Sequence, residues 1–229
     1  MTERPIIFST EMVQAILDGR KTQTRRVIKQ QPPEGTFEDN VAVLGYFSLS
    51  DGTKTGYGFC DESGREYKCP YGMPGDELWV RETWGVLLST YNWEYGWECE
   101  GLCDAKVTRM GFEDEQYSGR EKYSVMYKAD GYEACEGESW RPSIFMPRWA
   151  SRIQLVIKDI RVERLQDITE DDAKAEGVGR PRYDWGDGVT FIPTEKTEFS
   201  KVWETINAKR GYSWESNPWV WVVEFEVKK

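Results

Sequence analysis

Between Gly19 and Ile28 the chain carries Lys21 and Thr24 among Arg20, Arg25 and Arg26, with Lys29 just beyond and no acid in the run. A threonine hydroxyl is a poor nucleophile until a base removes its proton. The chain has no histidine, so Ser-His and Cys-His nucleophile pairs, histidine-ligated zinc and imidazole acid–base chemistry are all excluded. A lysine is then the natural base for Thr24, provided burial or neighbouring cations lower its pKa enough to leave it partly neutral. Arg20, Arg25 and Arg26 can supply that field, and the Arg26 guanidinium can hold an oxyanion or a phosphate. The plainer alternative is a solvated basic turn, with Lys21 and the arginines in water and Thr24 an ordinary strand residue.

Composition narrows the partners. The 229 residues include 30 Lys+Arg and 40 Asp+Glu, a net charge of −10, with 39% hydrophobic and 31% charged residues. That is the make-up of a globular protein able to bury a core. An acidic chain disfavours non-specific coating of nucleic acid but leaves room for a local basic pocket. The 11 Trp and 12 Tyr exceed what a core needs and leave rings able to stack on bases. The ligand expected is therefore a nucleoside or a short single-stranded nucleic acid. No apolar run approaches the roughly 20 residues of a membrane span, and Met1–Pro5 does not read as a secretory leader, so a cytoplasmic protein with no membrane partner is expected. Neither G-x-x-x-x-G-K-[ST] nor G-x-G-x-x-G occurs, and no cofactor is expected. Cys60, Cys69, Cys99 and Cys103 are spaced poorly for a four-thiolate zinc site, so reduced thiols and no metal are expected.

The elements that must position these residues read as many strands and few helices. Pro5–Phe8 predicts a strand, followed by a helix capped by Thr10 with Met12, Val13, Ile16 and Leu17 on one face and Gly19 as its stop. Weak strand signals cover Val41–Phe47. Further strands are predicted at Glu77–Trp84, Tyr123–Ala129, Ile153–Leu165 and Trp219–Phe225. In the long one, Ile153, Leu155 and Ile157 face one way and Val156, Ile160 and Val162 the other. Thr169, with Asp172 three residues on, caps a short helix through Glu176 that Gly177 stops. Phe199, Val202, Trp203 and Ile206 mark an amphipathic helix. No βαβ alternation is present, which argues for an α+β domain built on a small β-barrel. Residues 1–229 are read as one domain with elaborations at about 30–72, 85–140 and 178–196.

The segment Gly19-x-Lys21-x-x-Thr24-x-Arg26 resembles the G-x-K-x-x-T-x-R signature of the ASCH domain, a PUA-like family. The order of its surroundings is similar too: a strand and helix before the motif, Gly75-Asp76 opening a strand, an acidic helix after the long strand, and an aromatic last strand. More narrowly, Tyr71-Gly72, Leu78–Glu82 and Pro142–Arg152 look like the large ASCH-containing proteins of phages and prophages. The resemblance implies a PUA-like β-barrel associated with RNA or modified nucleosides. One branch of the family, the small bacterial N4-acetylcytidine amidohydrolases, uses a Lys-Thr-Glu triad. Carried over, the triad falls on Lys21, Thr24 and Glu176, and the implied activity is hydrolysis of an N-acylated nucleoside. Glu176 would orient Lys21 or relay a proton to the leaving amine. Arg20, Arg25, Arg26, Arg148 and Trp79 are the expected substrate-binding residues. Two other readings remain open: a non-catalytic reader of modified or single-stranded nucleic acid, and a phage accessory protein that binds a host protein.

Overall fold

Antiparallel pairing around the last strand builds the part of the fold that carries the motif. The computed structural model describes residues 2–34, 36, 44–48, 54–92, 96–102, 121–132, 140–179, 183–184, 190–191 and 193–228. Its elements are β1 (Glu3–Ile7), α1 (Thr10–Leu17), β2 (Gln23–Val27), β3 (Gly45–Ser48), β4 (Lys54–Cys60), β5 (Glu66–Lys68), β6 (Glu77–Arg81), β7 (Trp84–Asn92), β8 (Gly96–Leu102), β9 (Glu121–Tyr127), β10 (Gln154–Arg164), α2 (Glu170–Ala175), β11 (Tyr183–Asp184), β12 (Thr190–Phe191), α3 (Glu195–Asn207) and β13 (Trp219–Val227). A five-stranded sheet runs β1-β6-β10-β13-β2, beside three-stranded sheets β3-β4-β5 and β8-β7-β9 and the hairpin β11-β12. The fold is therefore mixed and β-rich, but the expected barrel is not formed: among the described residues no sheet closes on itself. The chain divides into two compact units, 1–4, 15–78 and 155–229 in the first, and 5–14 and 79–154 in the second.

In the first unit β13 pairs with both β10 and β2. Its face toward the helices packs Val220 and Val222 with Leu165, Ile168, Ala173, Phe199 and Trp203, and Val27 joins them. On the other face the Trp221 ring lies 5.7 Å from Phe59, which stacks on Tyr67 at 4.6 Å. β10 does not keep the simple alternation expected of it. A bulge between Ile157 and Asp159 shifts its register, so Ile157 opposes Phe225 and Ile160 opposes Val223. Ile157 and Ile160 thus share a face, and Arg161 and Glu163 turn to the helix side.

The predicted cap of α2 forms in full. The Thr169 hydroxyl accepts from the Asp172 amide, and the Asp172 carboxylate accepts from the Thr169 amide. The helix ends one residue earlier than expected, with Glu176 as its C-cap and Gly177 at φ +83°. In α3 Phe199 and Trp203 are buried, while Val202 and Ile206 stay partly exposed. Asp76, after Gly75, binds the amide and hydroxyl of Thr2 at 2.9 and 2.8 Å, and the Met73 amide at 3.3 Å. Burial pulls its pKa up, but the bonds from Thr2 and Met73 outweigh that and hold it below the ordinary aspartate value.

In the second unit Ser9, rather than Thr10, caps α1: its hydroxyl accepts from Met12 and its carbonyl from Val13. Leu17, expected on the apolar face of that helix, is half exposed. Trp84, Val86, Met146 and Ala150 form the core of the second unit. The strand predicted over Glu77–Trp84 is interrupted at Glu82–Thr83. There Glu82 turns inward to a two-point pair with Arg152, at 3.0 and 3.1 Å, and Trp84 resumes by exchanging backbone bonds with Arg141. The strand expected at Tyr123–Ala129 stops at Tyr127, where a 3-10 turn, Lys128–Asp130, takes over. Of the Val41–Phe47 signal, 41–43 lie outside the described residues and the observed strand is β3.

Candidate active site

Strand alternation sorts the motif before any side chain is placed. On β2, Gln23, Arg25 and Val27 point to the face covered by α2 and α3, and Thr24 and Arg26 to the opposite face. Lys21, two residues before the strand, forms an isolated antiparallel bridge with Glu176. The Lys21 side chain is fully buried, and its Nζ donates to the Glu176 carbonyl at 2.8 Å and to Oε2 at 2.7 Å. Burial pushes the Lys21 pKa below the usual lysine value. Glu176 opposes that shift, and the charges of Arg26 and Arg25 reinforce it.

Arg25 holds the other oxygen of Glu176. Its Nη1 lies 3.4 Å from Oε1, while Nη2 reaches Glu163 at 3.0 Å and Asp172 at 3.4 Å. Arg161 extends the cluster to Asp172 at 2.7 Å and to Glu163 and Glu224, and Gln23 donates to the Asp172 carbonyl and carboxylate. Burial raises the Asp172 pKa, but the Thr169 bonds, the Arg25 charge and Gln23 more than offset it, leaving the group below the ordinary value. Three cations (Lys21, Arg25, Arg161) thus face four carboxylates (Glu163, Asp172, Glu176, Glu224), and such a cluster is nearly self-neutralising.

The structure brings Lys21 and Glu176 into contact across 155 residues of sequence. It does not join Thr24 to them by a hydrogen bond. Thr24 is 3% exposed and opposes Val223. Arg26 shares its face, within electrostatic range of Lys21 and Tyr71. Arg25, expected to touch ligand, is instead wholly buried and committed to carboxylates. Arg20 is exposed and binds Asp18 and the Gly177 carbonyl. In the second unit the Arg148 guanidinium lies 5.9 Å from the Trp79 ring.

Sequence reasoning missed Gln23, Arg161, Glu163, Asp172 and Glu224 as members of the site. The i, i+2 pattern of Gln23-Arg25 and of Arg161-Glu163 was the available signal, because strand alternation puts each pair on one face. Cys60 is exposed and Cys69 buried, and burial pushes the Cys69 thiol up to about 11. The Cys99 side chain and Cys103 lie outside the described residues. Among the described residues no cluster of Cys, Asp and Glu is arranged to hold a metal ion.

Comparison of the chain with protein-family models, with curated proteins and with solved structures found no match.

Proposed function

We propose that this protein is a PUA-like, ASCH-type pocket protein that binds a nucleobase or nucleoside and hydrolyses an N-acyl group from it, in the manner of an N4-acetylcytidine amidohydrolase. The observation that carries the reading is the buried Lys21 amine, with its pKa lowered by burial and by Arg26 and Arg25, seated on Glu176. Burial makes that amine easier to deprotonate than a solvated lysine, which is the direction a general base requires. Thr24 Oγ1 attacks the acyl carbon while the neutral Lys21 amine takes the hydroxyl proton. That proton passes to the departing base amine as the C–N bond breaks. Water then cleaves the threonyl ester and releases the carboxylic acid. Glu176 orients Lys21, Arg25 fixes Glu176, and Arg26 holds the oxyanion. Catalytic hydrogen bonds often form or tighten only in the Michaelis complex, and this reading requires a Lys21–Thr24 hydrogen bond to form when substrate binds.

A second reading, a non-catalytic reader of modified or single-stranded nucleic acid, is favoured by the alternation that turns Thr24 away from the face holding Arg25 and Gln23. Incubation with a panel of acylated nucleosides, followed by mass spectrometry, separates the two. Turnover lost in Thr24→Ala, partly kept in Thr24→Ser, and lost equally in Lys21→Arg and Lys21→Ala supports hydrolysis, because arginine stays protonated and cannot act as base. Tight binding without turnover of any member supports the reader.

A further inference from the structure

The second unit holds a surface whose chemistry the Lys21 site does not use. The 3-10 turn Ser143–Phe145 is flanked by Pro142 and Pro147 and closed by backbone bonds from Phe145 to Pro142 and from Met146 to Ser143. Met146, fully buried, anchors it from below. Arg81 clamps it from the side, donating through Nε to the Met146 carbonyl at 3.2 Å and through Nη2 to the Ile144 carbonyl. This well-fixed turn lifts Ile144 and Phe145 into solvent at 57% and 71% exposure. Two adjacent large apolar side chains on so rigid a support are costly to keep wet unless something covers them.

Charge says what covers them. The same Arg81 lies 5.4 Å from the Trp79 ring, and Arg148 lies 5.9 Å from it. Among the described residues Arg81 bonds carbonyls and a ring but no carboxylate, in a chain with 40 acids. Phe145 is an uncovered ring one residue past the carbonyl that Arg81 holds and three residues before Arg148, and an exposed ring face carried on the same turn as a cation complements a ligand that is both planar and anionic. Single-stranded nucleic acid presents both, whereas a duplex hides its base faces. We propose that Phe145, supported by Ile144 and bordered by Trp79, Arg81 and Arg148, is a base-stacking subsite for single-stranded nucleic acid. The inference needs no chemistry at Lys21, so it stands or falls separately from the deacylation reading.

Fluorescence anisotropy of the full chain with a labelled oligouridylate of about a dozen nucleotides, its oligothymidylate counterpart and a matching duplex tests it. Phe145→Ala should weaken single-strand binding by about 5- to 100-fold, the range that one lost base stack gives, and Phe145→Trp should retain it. Arg148→Gln should weaken binding and reduce the salt slope by about one phosphate. In the unaltered protein, photocrosslinking with 4-thiouridine should label the peptide containing Phe145. Unchanged affinity in Phe145→Ala, equal affinity for the duplex, crosslinks confined to other peptides, or binding of polyglutamate in place of the oligonucleotides would overturn the proposal.

Discussion

Replacing Glu176 by glutamine removes one charge while keeping the shape of the side chain, and the structure sets the size of the effect. Lys21 is completely buried and Glu176 nearly so, 2.7 Å apart. The variant keeps the residue-176 carbonyl for the Lys21 ammonium but replaces the carboxylate beside it with a neutral amide. Breaking a buried pair from one side costs about 3–5 kcal/mol, or a loss of roughly 6–20 °C in Tm for a chain of this size. The cost should depend on pH with a definite sign. The folded pKa of Lys21 already lies below its unfolded value of 10.5, so between the two the unfolded state binds more protons and stability rises with pH. Loss of Glu176 lowers the folded pKa further and widens that window. Relative to wild type, Glu176→Gln should therefore be most destabilised near neutral pH and recover toward pH 10.5. Urea denaturation across pH, followed by tryptophan fluorescence and circular dichroism, measures it. In a Lys21→Met background the same substitution should cost far less and lose its pH dependence, since no buried ammonium remains to be stranded. A penalty below about 1 kcal/mol at pH 7, or one that grows as pH rises, would show that Lys21 and Glu176 do not form a buried ion pair.

Gly177→Ala should cost about 2–4 kcal/mol, from a left-handed φ of +83° and a new Cβ only 2.8 Å from the Ala15 Cβ and 2.9 Å from the Lys21 Cβ; thermal melts within 1 °C of wild type would contradict this. Thr169→Ala removes half of the capping box of α2 and should cost about 1 kcal/mol, with faster amide exchange in the first turn as its local signature. Asp76→Asn should cost about 1–2 kcal/mol at neutral pH. Because the folded pKa of Asp76 lies below its unfolded value of 3.8, its stabilisation is present above that value and is lost as pH falls through the folded pKa. The gap between wild type and variant should close there, and a gap that persists in acid would count against the assignment.

What was legible in the sequence was local. The α2 cap could be read because Thr169, Asp172 and Gly177 act within one turn of one another. The β13 strand announced itself through an apolar run that is buried on both faces. Local signals also misled where two neighbours compete for one task, as Ser9 and Thr10 do at the start of α1. The bulge after Ile157 has no glycine to mark it, and so the side to which Arg161 and Glu163 turn was hidden. Glu82 broke a strand that reads as continuous, because its partner Arg152 lies 70 residues away. The same non-locality governs the candidate site. Lys21 and Glu176 could be paired only through a family resemblance, since nothing in either neighbourhood points to the other. Arg25 sits in a basic run that suggests ligand binding, and its burial follows from alternation together with carboxylates that β10 and the capped helix α2 bring to it.

Release of acid from N4-acetylcytidine is the decisive measurement for the proposed activation of Thr24 by a lysine seated on a carboxylate. Mass spectrometry of the wild type, Thr24→Ala and Lys21→Arg proteins, each checked for folding by circular dichroism, should show acetate and cytidine formed by the wild type alone. Acetate formed equally by Thr24→Ala, or none formed by the wild type from N4-acetylcytidine or any other acylated nucleoside, would rule out deacylation by Thr24.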